Sequence, residues 1–255
     1  MNNYSILMVA HLFAYFYLHK NPLILIGKKE AKWKFLSYPI IMMIAFFSVY
    51  QSLMVTITLG TIVTGTHYLF DNLVVWTNKH RFISKEKPVN ELSTFIINQI
   101  LHCSIIAMIL YFYRENNELQ YNNIFLFIAI LLGILIPASF IIAKLIDINI
   151  QNSSRKRSER IFNSELFILD EGTIIGCLER LLIFFLAISG QLGSIGFVIA
   201  AKTMVRYGQF IDPPDGKGNN NSESGKSFAA KYLIGTLSSI LLAIIGVIIW
   251  NRFSV

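Results

Sequence analysis

The stretch NIFLFIAILLGILIPASFIIAKLID, residues 123–147, runs from Asn123 to Ala143 without one ionisable side chain. A helix needs ~20 largely apolar residues to cross the ~30 Å hydrocarbon core of a bilayer, and this segment meets that length. Working outward, further apolar runs cover 4–19, 36–48, 52–76, 92–113, 172–189, 192–205 and 228–250. Those at 36–48, 172–189 and 192–205 are short for a full crossing, so tilt, re-entry or shelter among neighbouring helices is expected there. The first run has no basic residue before it and no small-residue cleavage site after it, which speaks against a removable signal peptide. Composition agrees with the runs. The 255 residues are 54% hydrophobic and 15% charged, against about 25% charged in soluble domains, and the mean hydropathy is +0.55. A soluble secreted protein, a disordered chain and a disulfide scaffold are excluded. Cys103 and Cys177 both sit inside apolar runs and read as packing residues. The expected fold is all-α: a polytopic transmembrane helical bundle of about eight spans.

The charges orient it. Five lysines fall in 20–34, and Lys79, Arg81, Lys85 and Lys87 in 77–91. Arg155, Lys156, Arg157 and Arg160 fall in 148–171, and Lys202, Arg206, Lys217 and Lys226 in 202–227. Seventeen of the 22 basic residues thus lie in four alternate loops, whereas only Arg114 and Arg252 lie on the opposite side. By the positive-inside rule the large loops face the cytoplasm and both termini face outward. The net charge of +7 is then a mark of topology, and nucleic acid is not an expected partner. Residues 1–150 form an expected N-terminal transmembrane bundle, 151–171 a charged cytoplasmic linker that could form a surface helix, and 172–255 a C-terminal transmembrane bundle. The Gly/Asn/Ser-rich stretch within 207–227 is expected to be a flexible cytoplasmic loop.

Ionisable groups at membrane depth are costly, so each one is a candidate for function. The N-terminal half carries His11/Tyr15, His67/Asp71 and Asn98/His102 at i, i+4 spacing, with Gln99 beside them. That spacing puts both members of a pair on one helix face. Counted at ~1.5 Å per residue from the cytoplasmic ends, all three pairs fall between about 6 and 15 Å deep. Three helices running in different directions should therefore bring them together. His11, His67, Asp71 and His102 are candidate ligands of a divalent metal, Zn²⁺ or Mn²⁺, with Tyr15, Asn98 and Gln99 around them. An interhelical hydrogen-bond network and a pathway for an ion or small molecule are the other two readings.

A second set lies C-terminal. Glu179 and Arg180 are adjacent in an apolar span and point about 100° apart, so they cannot pair with each other. Glu179 should meet Lys202, Lys231 or a backbone N–H, while Arg180 should reach the interface or the N-terminal bundle. Lys202 and Arg206, one turn apart, could clamp an anion such as phosphate or anchor to lipid headgroups. Gly235, Thr236, Ser238 and Ser239 offer close packing and hydroxyls in the last span.

These segments resemble a bacterial family of inner-membrane proteins known only as domain of unknown function 3307. The resemblance rests on AHLFAYFYLHK (10–20), THYLFDNLV (66–74) and NQILH (98–102), and on GTIIGCLERLLI (172–183), GQLGSIGFVIAAKTMVRYGQF (190–210) and KYLIGTLSS (231–239). It covers nearly the whole chain and is most specific in the C-terminal half. The family shows His with Asp-Phe four residues on, His-x3-Asp-x2-Lys, and Asp-Gln-x2-His. His11, His67, Asp71, Gln99 and His102 match these patterns, while Tyr15, Val74 and Asn98 stand where the family has Asp, Lys and Asp. The resemblance implies a multi-pass protein of the bacterial cytoplasmic membrane. His-x3-Asp in a membrane helix is also similar to the pattern of membrane-bound metal-dependent hydrolases. Three functions follow as expectations: a hydrolase of a lipid or amphiphile with a degenerate metal site, a small transporter or channel for an ion or anionic solute, or a non-catalytic partner of a cytoplasmic protein. Membrane lipid is the expected partner, with a homo-oligomer as a further expectation.

Overall fold

The computed structural model describes residues 2–18, 32–83, 91–113, 122–151, 171–211 and 221–254. Among them every regular element is helical. The order is α1 (Asn2–Leu12), a π-helical segment (Phe13–Leu18), α2 (Lys32–Tyr50), α3 (Leu53–Ile83), α4 (Glu91–Phe112), α5 (Asn122–Gln151), α6 (Glu171–Ile188), α7 (Leu192–Ile211) and α8 (Asn221–Phe253). Four of these are long and apolar enough to cross a membrane: Leu53–Val74, Leu92–Phe112, Asn123–Ile146 and Ala229–Phe253. Leu36–Tyr50 and Leu192–Val205 are shorter apolar helices, as their run lengths lead one to expect.

The chain divides into two compact units, Met1–Gly133 with Ser254, and Ile134–Phe253 with Val255. In the first, α2 packs on α3 and α1 on α2, around Leu7, Met42, Phe46, Leu59 and Ile106. Close approach is possible because residue 60 is glycine: a Cβ there would stand 3.1 Å from Met43 Cγ. In the second, α6 packs on α7 and α8, with Phe184 and Ala243 fully buried. The outward faces carry exposed Met54, Ile57, Ile97, Ile100, Leu237 and Leu241, a surface suited to lipid and not to water. Hydroxyls on these faces are satisfied within their own helices. Thr58 donates to the Met54 carbonyl, Thr61 to Ile57 and Ser104 to Ile100, so no polar group is left to the hydrocarbon at these positions.

Two expectations fall largely outside the described residues. Helix extends over 207–211 and 221–227, within the segment read as a flexible loop; residues 212–220 lie outside the described residues. The expected linker helix falls mostly in 152–170, also outside the described residues.

Candidate functional site

In the first unit three helices deliver their polar pairs to one buried place. His11 closes α1 and is fully buried. The π-helical turn that follows carries Tyr15, and its wider turn lays the two rings in a stack, centroids 5.7 Å apart and 16° from parallel. His67 and Asp71 project from one face of α3, and Asn98, Gln99 and His102 from α4. His67 Nδ1 lies 2.8 Å from His102 Nε2 and 3.6 Å from Asp71 Oδ2. Asn98 Nδ2 donates to Asp71 Oδ1 at 2.9 Å and to Tyr15 Oη at 3.4 Å.

His11 stands at the edge of this group. Its Nε2 faces Gln99 Oε1 at 3.3 Å, and an amide oxygen only accepts, so that nitrogen carries the proton. Nδ1 then accepts from the Tyr38 hydroxyl at 3.0 Å. Both nitrogens of His11 are thereby engaged. Tyr38 of α2 did not figure among the sequence candidates, yet its ring lies 3.9 Å from that of His67 and it is almost fully buried. The available signal was a phenol one turn into the short run 36–48.

The donor set fits a metal. One ligand atom each from His67, Asp71 and His102 lies within 4.8 Å of the others. Tetrahedral Zn²⁺ with ~2.0–2.1 Å bonds to nitrogen separates neighbouring ligand atoms by about 3.3 Å. Two of the three ligand pairs, at 2.8 and 3.6 Å, lie on either side of that value, and all three lie within 4.8 Å. Three ligands leave a coordination position open, as hydrolytic sites require. The surroundings are also incompletely satisfied: Asn98 Oδ1, Gln99 Nε2 and His102 Nδ1 are buried without a hydrogen-bond partner. A closed structural network would spend these atoms, because each idle buried polar group costs roughly 1–3 kcal/mol.

In the second unit Glu179 of α6 pairs with Lys202 of α7, both side chains about one-fifth exposed. Lys202 Nζ also lies 5.8 Å over the Tyr232 ring, and the Tyr232 hydroxyl contacts Thr203 Oγ1 at 3.2 Å. Lys202 is thus committed to Glu179, while the side chain of Arg206 lies outside the described residues. Arg180 goes to α5, at residues within the stretch 1–150 expected as the N-terminal bundle, and not to an interface. Its Nε donates to the Ile134 carbonyl at 2.6 Å, and Nη2 to the Leu135 carbonyl at 3.1 Å and to Ser139 Oγ. Nη1 reaches Ser239 Oγ at 3.4 Å. A carbonyl oxygen has two lone pairs, so those of Ile134 and Leu135 can take the guanidinium beside another donor; the Leu135 carbonyl also accepts from Ser139 Oγ at 2.8 Å. Ser139 was not among the sequence candidates. Thr236 is buried and, with Lys231, lines a cavity beside Arg180.

Comparison with known proteins adds one finding. The family model described as "Protein of unknown function (DUF3307)" matches residues 4–131. No curated protein and no solved structure matches the chain. The match takes in every member of the His/Asp cluster and ends beside the boundary of the first compact unit at Gly133. The C-terminal motifs, including GTIIGCLERLLI, fall outside it, so the most specific part of the resemblance is not where the family model matches. With half of its length matched, the chain belongs to the DUF3307 family, whose function is unknown.

Proposed function

We propose that the protein is a membrane-embedded, metal-dependent hydrolase acting on a lipid or another amphiphile. The observation that carries this reading is the convergence of His67 Nδ1, His102 Nε2 and an Asp71 oxygen within 4.8 Å at a buried site. A divalent Zn or Mn ion held by these three would supply a water of lowered pKa. The chain's own groups do the positioning. Asn98 holds Asp71 in place through its amide N–H. The free atoms of Asn98 and Gln99 offer one acceptor and one pair of donors to a substrate's polar part. His11, fixed between Tyr38 and Gln99, orders the Gln99 amide. The exposed apolar flanks of α3 and α4 suit a substrate that arrives from the lipid phase. Charge asymmetry supports placement in a bacterial cytoplasmic membrane, with the basic loops inside and both termini outside.

The test is hydrolysis of a panel of phospholipids and acyl amphiphiles by the full-length protein in nanodiscs. Product should form with Zn²⁺ or Mn²⁺ present, stop on chelation, and fall at least a hundredfold in Asp71→Asn, whose amide cannot supply a carboxylate ligand. Turnover that survives chelation would overturn the reading.

A further inference from the structure

A separate cavity of about 320 Å³ opens in the second unit among α5, α6, α7 and α8. That volume is at the lower end for small-molecule sites, suited to a headgroup-sized ligand. Its lining mixes apolar and polar groups. Ile142, Ala143 and Ile146 contribute apolar surface, and Gly172, Gly176 and Gly235 leave room by having no side chain. Arg180, Lys202 and Lys231 line it too, with the hydroxyls of Thr173, Thr236 and Ser239.

The charges do not balance. Among the described lining residues Glu179 is the one carboxylate, and it is taken by Lys202. Arg180 is almost fully buried, and its hydrogen-bond partners in the structure are two carbonyls, two hydroxyls and a thiol, none of them anionic. Lys231 makes no hydrogen bond or ion pair with any described residue. Among the described lining residues the basic side chains thus exceed the carboxylates by two, at a site walled by apolar helices, where an unpaired charge costs several kcal/mol. Nη1 of Arg180 spends only one long contact, to Ser239, and so keeps an N–H to offer.

We propose that this cavity is a binding site for a phosphate group. A dianionic phosphate matches the surplus of two charges. Its oxygens accept from a guanidinium, an ammonium and hydroxyls together, the donor set that charge-assisted phosphate recognition uses. Gly176 is part of the design, since a Cβ there would stand 3.4 Å from Arg180 Nη1. The Glu179–Lys202 pair is neutral, which leaves the surplus among the described lining residues to Arg180 and Lys231. The cavity belongs to the second unit, and the proposal does not rest on a metal at the His/Asp cluster.

The phosphate can belong to a free anion or to a lipid headgroup, and two arms separate these. In the first, full-length protein stripped of lipid in a neutral detergent is titrated calorimetrically with inorganic phosphate at constant ionic strength, against chloride. In the second, nanodiscs of phosphatidylcholine with and without phosphatidic acid are compared by thermal unfolding. Saturable phosphate binding identifies a free anion; stabilisation by phosphatidic acid alone identifies a headgroup. Either effect should weaken about tenfold or more in Lys231→Gln, which removes no contact within the described residues, and stay unchanged in Arg252→Gln at the far end of α8. Absence of both effects in the wild type would overturn the proposal, and so would a Lys231→Gln protein that binds like the wild type.

Discussion

At the scale of the residue, Arg180 ties α6 to α5. Its guanidinium donates to two successive backbone carbonyls at once, those of Ile134 and Leu135. Lysine carries the same charge but lacks the planar fork. Arg180→Lys should therefore lower stability in detergent by about 2 kcal/mol, through one lost carbonyl contact to a charged donor, read as a fall in Tm beside the wild type. An unchanged Tm would mean that the carbonyls are satisfied in another way. The i, i+4 pairs were legible in the sequence because helical period alone places His67 with Asp71 and Asn98 with His102. Tyr38 was not legible. It bonds His11 from 27 residues away, and beside Pro39 at the start of a short run it reads as an interfacial anchor. The partner chosen by Glu179 was open between Lys202 and Lys231, since both lie at comparable depth and only the packing of α7 on α6 decides it.

At the scale of the element, two helix ends set the geometry of the short spans. α6 ends in a Schellman turn: Gln191 N–H reaches the Leu186 carbonyl at 2.8 Å and Gly190 N–H the Ala187 carbonyl at 3.1 Å, with Gly190 at φ 75°. Ser189-Gly190 between two apolar runs makes this turn readable from sequence. α2 ends with Gln51 at φ 50°, its N–H bonded to the Phe47 carbonyl at 2.9 Å. A non-glycine residue in that conformation gives no sequence warning. The π-helical turn at Phe13–Leu18 is likewise hidden, because FAYFYL holds neither glycine nor proline and the turn follows from ring packing around His11. A substitution pair tests the first end. Gly190→Ala should cost about 1 kcal/mol, because a Cβ is strained in the left-handed region. Gly193→Ala, inside α7 with open space around it, should be neutral or stabilising. Equal effects on Tm would remove the turn argument.

At the scale of the whole molecule, hydrophobic runs announced the helices, and loop charge announced their direction. The structure carries the helices; the direction rests on seventeen basic residues against two. Single cysteines at Lys85 and Asn219 should react with an impermeant thiol reagent only after the membrane is opened, whereas Asn117→Cys should react in intact cells. Labelling of Lys85→Cys from outside would reverse the orientation. The family match and the first compact unit end within two residues of each other, at 131 and 133, and the His/Asp cluster lies wholly inside both. That unit is therefore where the central proposal is tested, that His67, Asp71 and His102 hold a divalent metal. The most direct test is elemental analysis of the full-length protein, purified through a tag that binds no metal. About one Zn or Mn per chain is expected in the wild type. The metal should be lost when His67 and His102 are both changed to alanine, and kept in His11→Ala, whose nitrogens serve Tyr38 and Gln99. Metal-free wild-type protein, or a double variant that still holds its metal, would contradict the account.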